Sequence, residues 1–132
     1  LRVAVLAICT AKYCQHLPGY VRDIAANLLP GHDRTLFLFT DNPEAAQEVL
    51  DDSSLQALGG GLSYSISKIR ARGFPADTLY RYHYFLTKRD EILSQADWVL
   101  YLDIDLRIPA PLSPSSLGPT PSHPLVAVRH PL

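Results

Sequence analysis

Hydrophobic and polar positions divide the chain into alternating strand-like and helix-like stretches. Arg2 to Cys9 reads RVAVLAIC, a continuous apolar run that predicts a central strand covered on both faces. A polar connection, TAKYCQHLPG, follows. Pro18 suits a helix first turn, and Val21, Ile24, Ala25 and Leu28 then recur at i, i+3, i+4 and i+7, which predicts an amphipathic helix ended by Pro30-Gly31-His32. Thr35 to Thr40 (TLFLFT) predicts a second strand, and Asp41-Asn42-Pro43 a turn before a short helix over about 44–50. Asp51 to Gly61 reads as a loop. Leu62 to Ile69 alternates, with Leu62, Tyr64, Ile66 and Lys68 on one side and serines on the other, as a strand does. Asp77 or Thr78 can cap a helix running to about Gln95, with Leu79, Tyr82, Leu86 and Leu93 roughly on its apolar face. Trp98 to Leu102 (WVLYL) predicts another buried strand. Seven of the 11 prolines fall between Pro109 and Pro131, so 109–124 reads as a Pro-rich, mobile loop, and Leu125 to Val128 as a last strand.

Strands alternating with helices predict an α/β fold with a mostly parallel sheet. Ligands of such sheets bind beyond the carboxyl ends of the strands, which directs attention to the loops after Cys9, Thr40 and Leu102. Composition narrows the function classes. With 47% hydrophobic and 19% charged residues the chain can fill a core, and its formal charge of −1 argues against a nucleic-acid partner. No apolar run approaches the roughly 20 residues that span a bilayer. Cys9 and Cys14 make a poor zinc site and read as reduced thiols, with Cys9 buried. A chain of 132 residues that has no methionine and opens directly on a core strand reads as a piece of something longer. The absence of a targeting segment therefore says nothing about location.

The sharpest chemical feature is Asp103-Ile104-Asp105, directly after the WVLYL strand. In an extended chain residues i and i+2 point the same way, so both carboxylates would face one point. Two such carboxylates repel unless a cation lies between them, and oxygen ligands suit Mg²⁺ or Mn²⁺ with positions left for phosphate oxygens. Acidic residues after a strand also serve merely to solvate the next turn. Phosphatases of the haloacid dehalogenase class also use paired aspartates, but near the chain start and with Thr or Val where Arg107 stands here. Thr10-Ala11-Lys12-Tyr13 offers a cation and a flat ring at the mouth of the sheet. Tyrosine can stack on a base and lysine can meet a phosphate, or Tyr13 can simply pack under the next helix. The glycines of a phosphate-binding loop are missing. Arg81 can reach a phosphate or sugar hydroxyl, or pair with Asp77 at i, i+4. His83 and His130 have no clear catalytic setting, and no Ser/His/Asp triad is visible.

Taken together, five blocks resemble glycosyltransferase family 6, the family of the ABO blood-group transferases and α-1,3-galactosyltransferases. They are LAICTAKY (Leu6–Tyr13), LPGHDRTLFLFTD (Leu29–Asp41), GFPADTLYRYHYFL (Gly73–Leu86), ADWVLYLDID (Ala96–Asp105) and VAVRHP (Val126–Pro131), in the family's order. The resemblance implies a GT-A (Rossmann-like) nucleotide-sugar-binding fold, incomplete in this chain. It implies retaining transfer of galactose or N-acetylgalactosamine from UDP-galactose or UDP-N-acetylgalactosamine to a β-galactoside on an oligosaccharide or glycoconjugate, in α-1,3 linkage. By the same resemblance Ile8, Cys9 and Thr10 line the uridine pocket and Tyr13 stacks on uracil. Arg81 contacts the donor sugar, Asp103 and Asp105 hold Mn²⁺ (or Mg²⁺) against the diphosphate with Ile104 between them, and His130 belongs to the acceptor pocket. The family's glycine after His-Pro is Leu132 here, and its catalytic glutamate corresponds to no residue of this chain. The expectation is therefore a donor-binding portion, residues 1–132 of a partial glycosyltransferase domain, inactive in transfer by itself. A transferase of other donor or acceptor specificity, or a non-catalytic nucleotide- or carbohydrate-binding relative, would share these features. Family analogy puts a eukaryotic form in the Golgi membrane with a lumenal domain, and a bacterial one in the cytoplasm or at a membrane.

Overall fold

A computed structural model describes residues 1–58, 60–127 and 129. Four strands, β1 (Arg2–Cys9), β2 (Asp33–Thr40), β3 (Leu62–Lys68) and β4 (Trp98–Tyr101), form one all-parallel sheet in the order β3-β2-β1-β4. The α/β expectation holds at that level. The first three strands build outward from β1 on one side and β4 returns to its other side. The topological switch point therefore lies between β1 and β4, where such sheets open a crevice.

Strand alternation separates two cores. Val3, Val5, Ala7 and Cys9 of β1, with Leu36 and Leu38 of β2, pack under α1 (Leu17–Asn27), α2 (Pro43–Leu50) and α3 (Ser53–Gln56). As its spacing predicts, α1 buries Val21, Ile24 and Ala25, together with Leu17 and Tyr20. Pro18 stands in its first turn. Asn42 caps α2, its side-chain oxygen accepting from the Ala45 amide at 3.2 Å.

The end of α1 is closed by an arginine. Arg34 of β2 is buried, and its Nη1 donates to the carbonyls of Ile24 (2.6 Å), Ala25 (3.0 Å) and Leu28 (2.9 Å). Its Nε reaches the His32 carbonyl and its Nη2 the Gly60 carbonyl. The guanidinium thus supplies donors to carbonyls of the last helical turn, of which the Ile24 carbonyl also accepts from the Leu28 amide, and places a cation at the negative end of the helix dipole.

Ala4, Leu6, Phe37 and Phe39 face the other way, against α5 (Arg81–Leu86) and α6 (Arg89–Gln95), with the short α4 (Ala76–Leu79) leading into α5 and burying no residue of its own. Here the single helix expected from Asp77 to Gln95 is corrected to three short ones, with breaks at Tyr80 (φ −88°, ψ 1°) and Lys88 (φ −119°, ψ 18°). The expected inner face is also reversed. Leu79, Tyr82, Leu86 and Leu93 are exposed, and Tyr84, Phe85 and Ile92 are buried instead. The sheet presents Phe39 and Tyr101 on this side, and the Phe85 ring fits between them at centroid distances of 5.4 and 5.5 Å.

Two further expectations change. The buried strand Trp98–Leu102 is a shorter strand at the sheet edge, with Val99 exposed. The Pro-rich segment is no simple loop. It contains α7 (Pro114–Leu117) and is tied at Leu112, which accepts from the Leu29 amide and donates to the Asn27 carbonyl. Leu125–Ala127 form no strand, and Val128 lies outside the described residues.

Candidate nucleotide-binding cavity

At the switch point, beyond the carboxyl ends of β1 and β4, opens a cavity of about 680 Å³. That volume is in the range of small-molecule sites. Of the nine residues singled out from the sequence, Ile8, Thr10, Tyr13, Arg81, Asp103, Ile104 and Asp105 line it. Cys9 does not. By strand alternation its side chain points to the α1 side, where with Cys14 it lines a separate small pocket. Burial, with the Cys14 thiol beside it, pushes the Cys9 thiol up, so it stays protonated. His130 lies outside the described residues.

One wall begins where β1 ends. Ala11 adopts φ +49°, a left-handed conformation rare for a residue with a side chain, and starts a 3-10 helix (Ala11–His16) where only a polar connection was expected. That turn sets Lys12 and Tyr13 at the mouth, the Lys12 Nζ 5.7 Å from the Tyr13 ring centroid. Tyr13 is 39% exposed, so its ring is available to a ligand rather than packed beneath the helix.

The opposite wall comes from β4. The premise of an extended Asp103–Asp105 segment is corrected. The strand ends at Tyr101, and Asp103 to Leu106 closes a turn through the Leu106 amide and the Asp103 carbonyl at 3.0 Å. Both carboxylates still line the cavity, and both residues are exposed, whereas Ile104 is buried in the α1-side core and fixes the turn. Tyr101 donates its hydroxyl to Asp103 Oδ1. Burial first, then this bond, raises the Tyr101 hydroxyl above its ordinary range. The Arg81 guanidinium sits 4.7 Å from the Tyr101 ring centroid, and its Nε donates to the Thr78 carbonyl at 2.9 Å. Arg81 therefore pairs with no Asp77 carboxylate but is held over an aromatic face at the cavity wall.

Carboxylate oxygens are the donor type that hard divalent cations take. Asp103 and Asp105 supply exposed carboxylate oxygens on one turn, and the described residues contain no cluster of three His, Cys, Asp or Glu side chains that would cage a metal without help.

Asp77, Tyr101 and Phe74 were not foreseen as site residues. The sequence offers Asp77 or Thr78 as a helix cap, but the Asp77 carboxylate accepts from the Arg72 amide (3.0 Å) and the Gly73 amide (3.1 Å), upstream of α4. Tyr101 was detectable, since it stands two residues before Asp103 in the strand period. Phe74, 82% exposed on the rim, left no signal beyond the Gly73-Phe74-Pro75 turn. A scan against protein-family models finds no match to the chain, and a search among curated proteins finds none either.

Proposed function

We propose that the chain binds the UDP-sugar donor of a retaining glycosyltransferase of the family 6 type, within a GT-A-like sheet. The reading includes transfer of galactose or N-acetylgalactosamine in α-1,3 linkage to a β-galactoside. The observation that carries it is the gathering of Tyr13, Arg81, Asp103 and Asp105, far apart in sequence, around one cavity at the switch point of a parallel sheet.

Each residue has a task its surroundings suit. The exposed Tyr13 ring offers a stacking face for uracil, with Ile8 and Thr10 forming the floor beside it. Arg81, steered by Tyr101 and Thr78, offers positive charge to the sugar-phosphate. Asp103 and Asp105 are the residues that would hold Mn²⁺ or Mg²⁺, which when bound offsets the charge of the departing diphosphate. Tyr101 keeps one Asp103 oxygen occupied and so orients the other.

Calorimetric titration with UDP, with and without Mn²⁺, tests the reading. Metal-dependent binding that disappears in Asp103→Asn/Asp105→Asn is expected. Binding unaffected by metal and by the double substitution would remove the aspartates from the site. No binding to the folded chain would remove the donor reading altogether.

A further inference from the structure

We infer that Asp77 is a positioning residue that holds three walls of the cavity in register, and that it is neither an acid-base group nor a ligand. The inference rests on the donor-site reading above for its functional consequence, but its structural part stands independently.

The argument is the occupancy of its carboxylate. Oδ1 accepts from the Arg72 amide at 3.0 Å and from the Tyr84 hydroxyl at 2.7 Å. Oδ2 accepts from the Gly73 amide at 3.1 Å and from the Thr10 hydroxyl at 3.5 Å. Four donors use the lone-pair directions a carboxylate has to offer. A general base or a metal ligand needs one of them free, whereas a structural clamp does not.

The donors come from different elements. Thr10 directly follows β1 and precedes the 3-10 turn that carries Tyr13. Tyr84 is the buried side of α5, whose first residue is Arg81. Arg72 and Gly73 are the strand-to-helix connection. Gly73 has φ +80°, and a Cβ there would meet nothing within 4 Å, so the requirement is conformational rather than steric. Asp77 secures the amides on either side of the Arg72 Cα and thereby aims Phe74 over the cavity rim. The Arg72 guanidinium, 4.4 Å from the Tyr80 ring centroid, fixes the same segment from outside. A cavity organised before the ligand arrives avoids the ordering cost on binding.

The test compares Asp77→Asn and Tyr84→Phe with the wild-type chain in two measurements. In amide hydrogen exchange without nucleotide, Arg72 and Gly73 should exchange about tenfold faster in Asp77→Asn, and by a smaller factor in Tyr84→Phe, while α1 amides stay unchanged. In UDP titration with Mn²⁺, affinity should fall in the same order. Lowering the pH from 4 to 2 should strip Gly73 protection in the wild type and leave Asp77→Asn flat, the Tyr84 hydroxyl being the ionisable side chain bonded to the carboxylate and the Arg72 guanidinium lying beside Tyr84. Unchanged exchange at Gly73 in Asp77→Asn overturns the proposal, with or without lost affinity. If Asp77→Asn fails to fold, faster Gly73 exchange in Tyr84→Phe sustains the proposal and its absence overturns it. Faster exchange in a chain whose wild type binds no UDP sustains the clamp and removes the donor reading instead.

Discussion

One sheet carries two different coverings. On the α1 side a regular 11-residue helix, two further helices and the returning segment 104–112 bury a continuous aliphatic layer, and Arg34 saturates the helix end. On the other side helices of six and seven residues, preceded by the four-residue α4, cover a smaller layer built around Phe85. There β3 contributes Ser63, Ser65 and Ser67 where β1 and β2 contribute Leu6, Phe37 and Phe39. Leu79 and Leu86 remain 73% and 61% exposed. The helices that carry Arg81 and Asp77 belong to the thinner side. The comparison teaches a division of labour, with stability concentrated under α1 and the adjustable cavity wall set where packing is least dense.

The largest break should come from Arg34→Met. It takes a donor from five carbonyls, those of Ile24, Ala25 and Leu28 in buried bonds and those of His32 and Gly60 in half-buried ones, at a cost of about 3–5 kcal/mol in denaturant unfolding. A loss below about 1 kcal/mol would mean that water or relaxation replaces the guanidinium, and the asymmetry between the faces would lose its main support. Phe85→Ala removes the ring that joins Phe39 to Tyr101 and should cost about 3 kcal/mol. Its distinguishing result is local. Amides of α5 and α6 should lose protection before those of α1, and a uniform loss would show that the two faces open together.

Acid sharpens the contrast further. Desolvation raises the Asp77 carboxyl, but the Arg72 amide, the Tyr84 hydroxyl, the Gly73 amide and Thr10 together hold it below the ordinary carboxylate range. A depressed group contributes fully above its unfolded pKa of about 4 and loses that contribution as the pH falls through its folded pKa. Asp23 on the α1 side is lowered as well, first by the Arg107 side chain. The Arg34 clamp, however, does not titrate in this range. Between pH 4 and 2 the Arg72 and Gly73 amides should therefore lose protection while the last turn of α1 keeps it, as read by exchange-quenched NMR. The smallest effect belongs to Leu79→Gln. Its side chain is already in water, so stability should stay within about 0.5 kcal/mol, and a larger loss would show that this face is covered.

Particular residues show how much of this was legible in the sequence. The apolar runs over β1 and β2 and the i, i+3, i+4, i+7 spacing of α1 each correspond to one arrangement, and the structure has it. The stretch from Leu79 to Phe85 has apolar or aromatic residues on every side, so period alone does not choose a face. Phe85 is inside because Phe39 and Tyr101 wait there, which is a long-range fact. Asp103 and Asp105 reach the cavity by way of a turn rather than an extended chain. The pair was visible from its place after a strand, although the geometry assumed for it was not the one found. Arg34 stands just before the stretch that reads as a strand from Thr35, and only the fold reveals the helix end above it. Asp77 was hidden for the opposite reason, because a local role as a cap accounted for it too easily.

The tie between Asp23 and the segment after the cavity has a consequence for proteolysis. Arg107 projects a well-exposed guanidinium, and by sequence the following peptide bond is open to trypsin. Yet Asp23 holds both the Arg107 Nε and the Ile108 amide, and the Asn27 side-chain Nδ2 donates to the Ile108 carbonyl. A protease must draw several residues into an extended strand before it cuts, and here that means dismantling the lower edge of α1. Cleavage after Arg70, in the irregular stretch following β3, needs only a local excursion. Of these two bonds the one after Arg70 should thus be cut first, and the appearance of the 107–108 cut should report the loosening of α1.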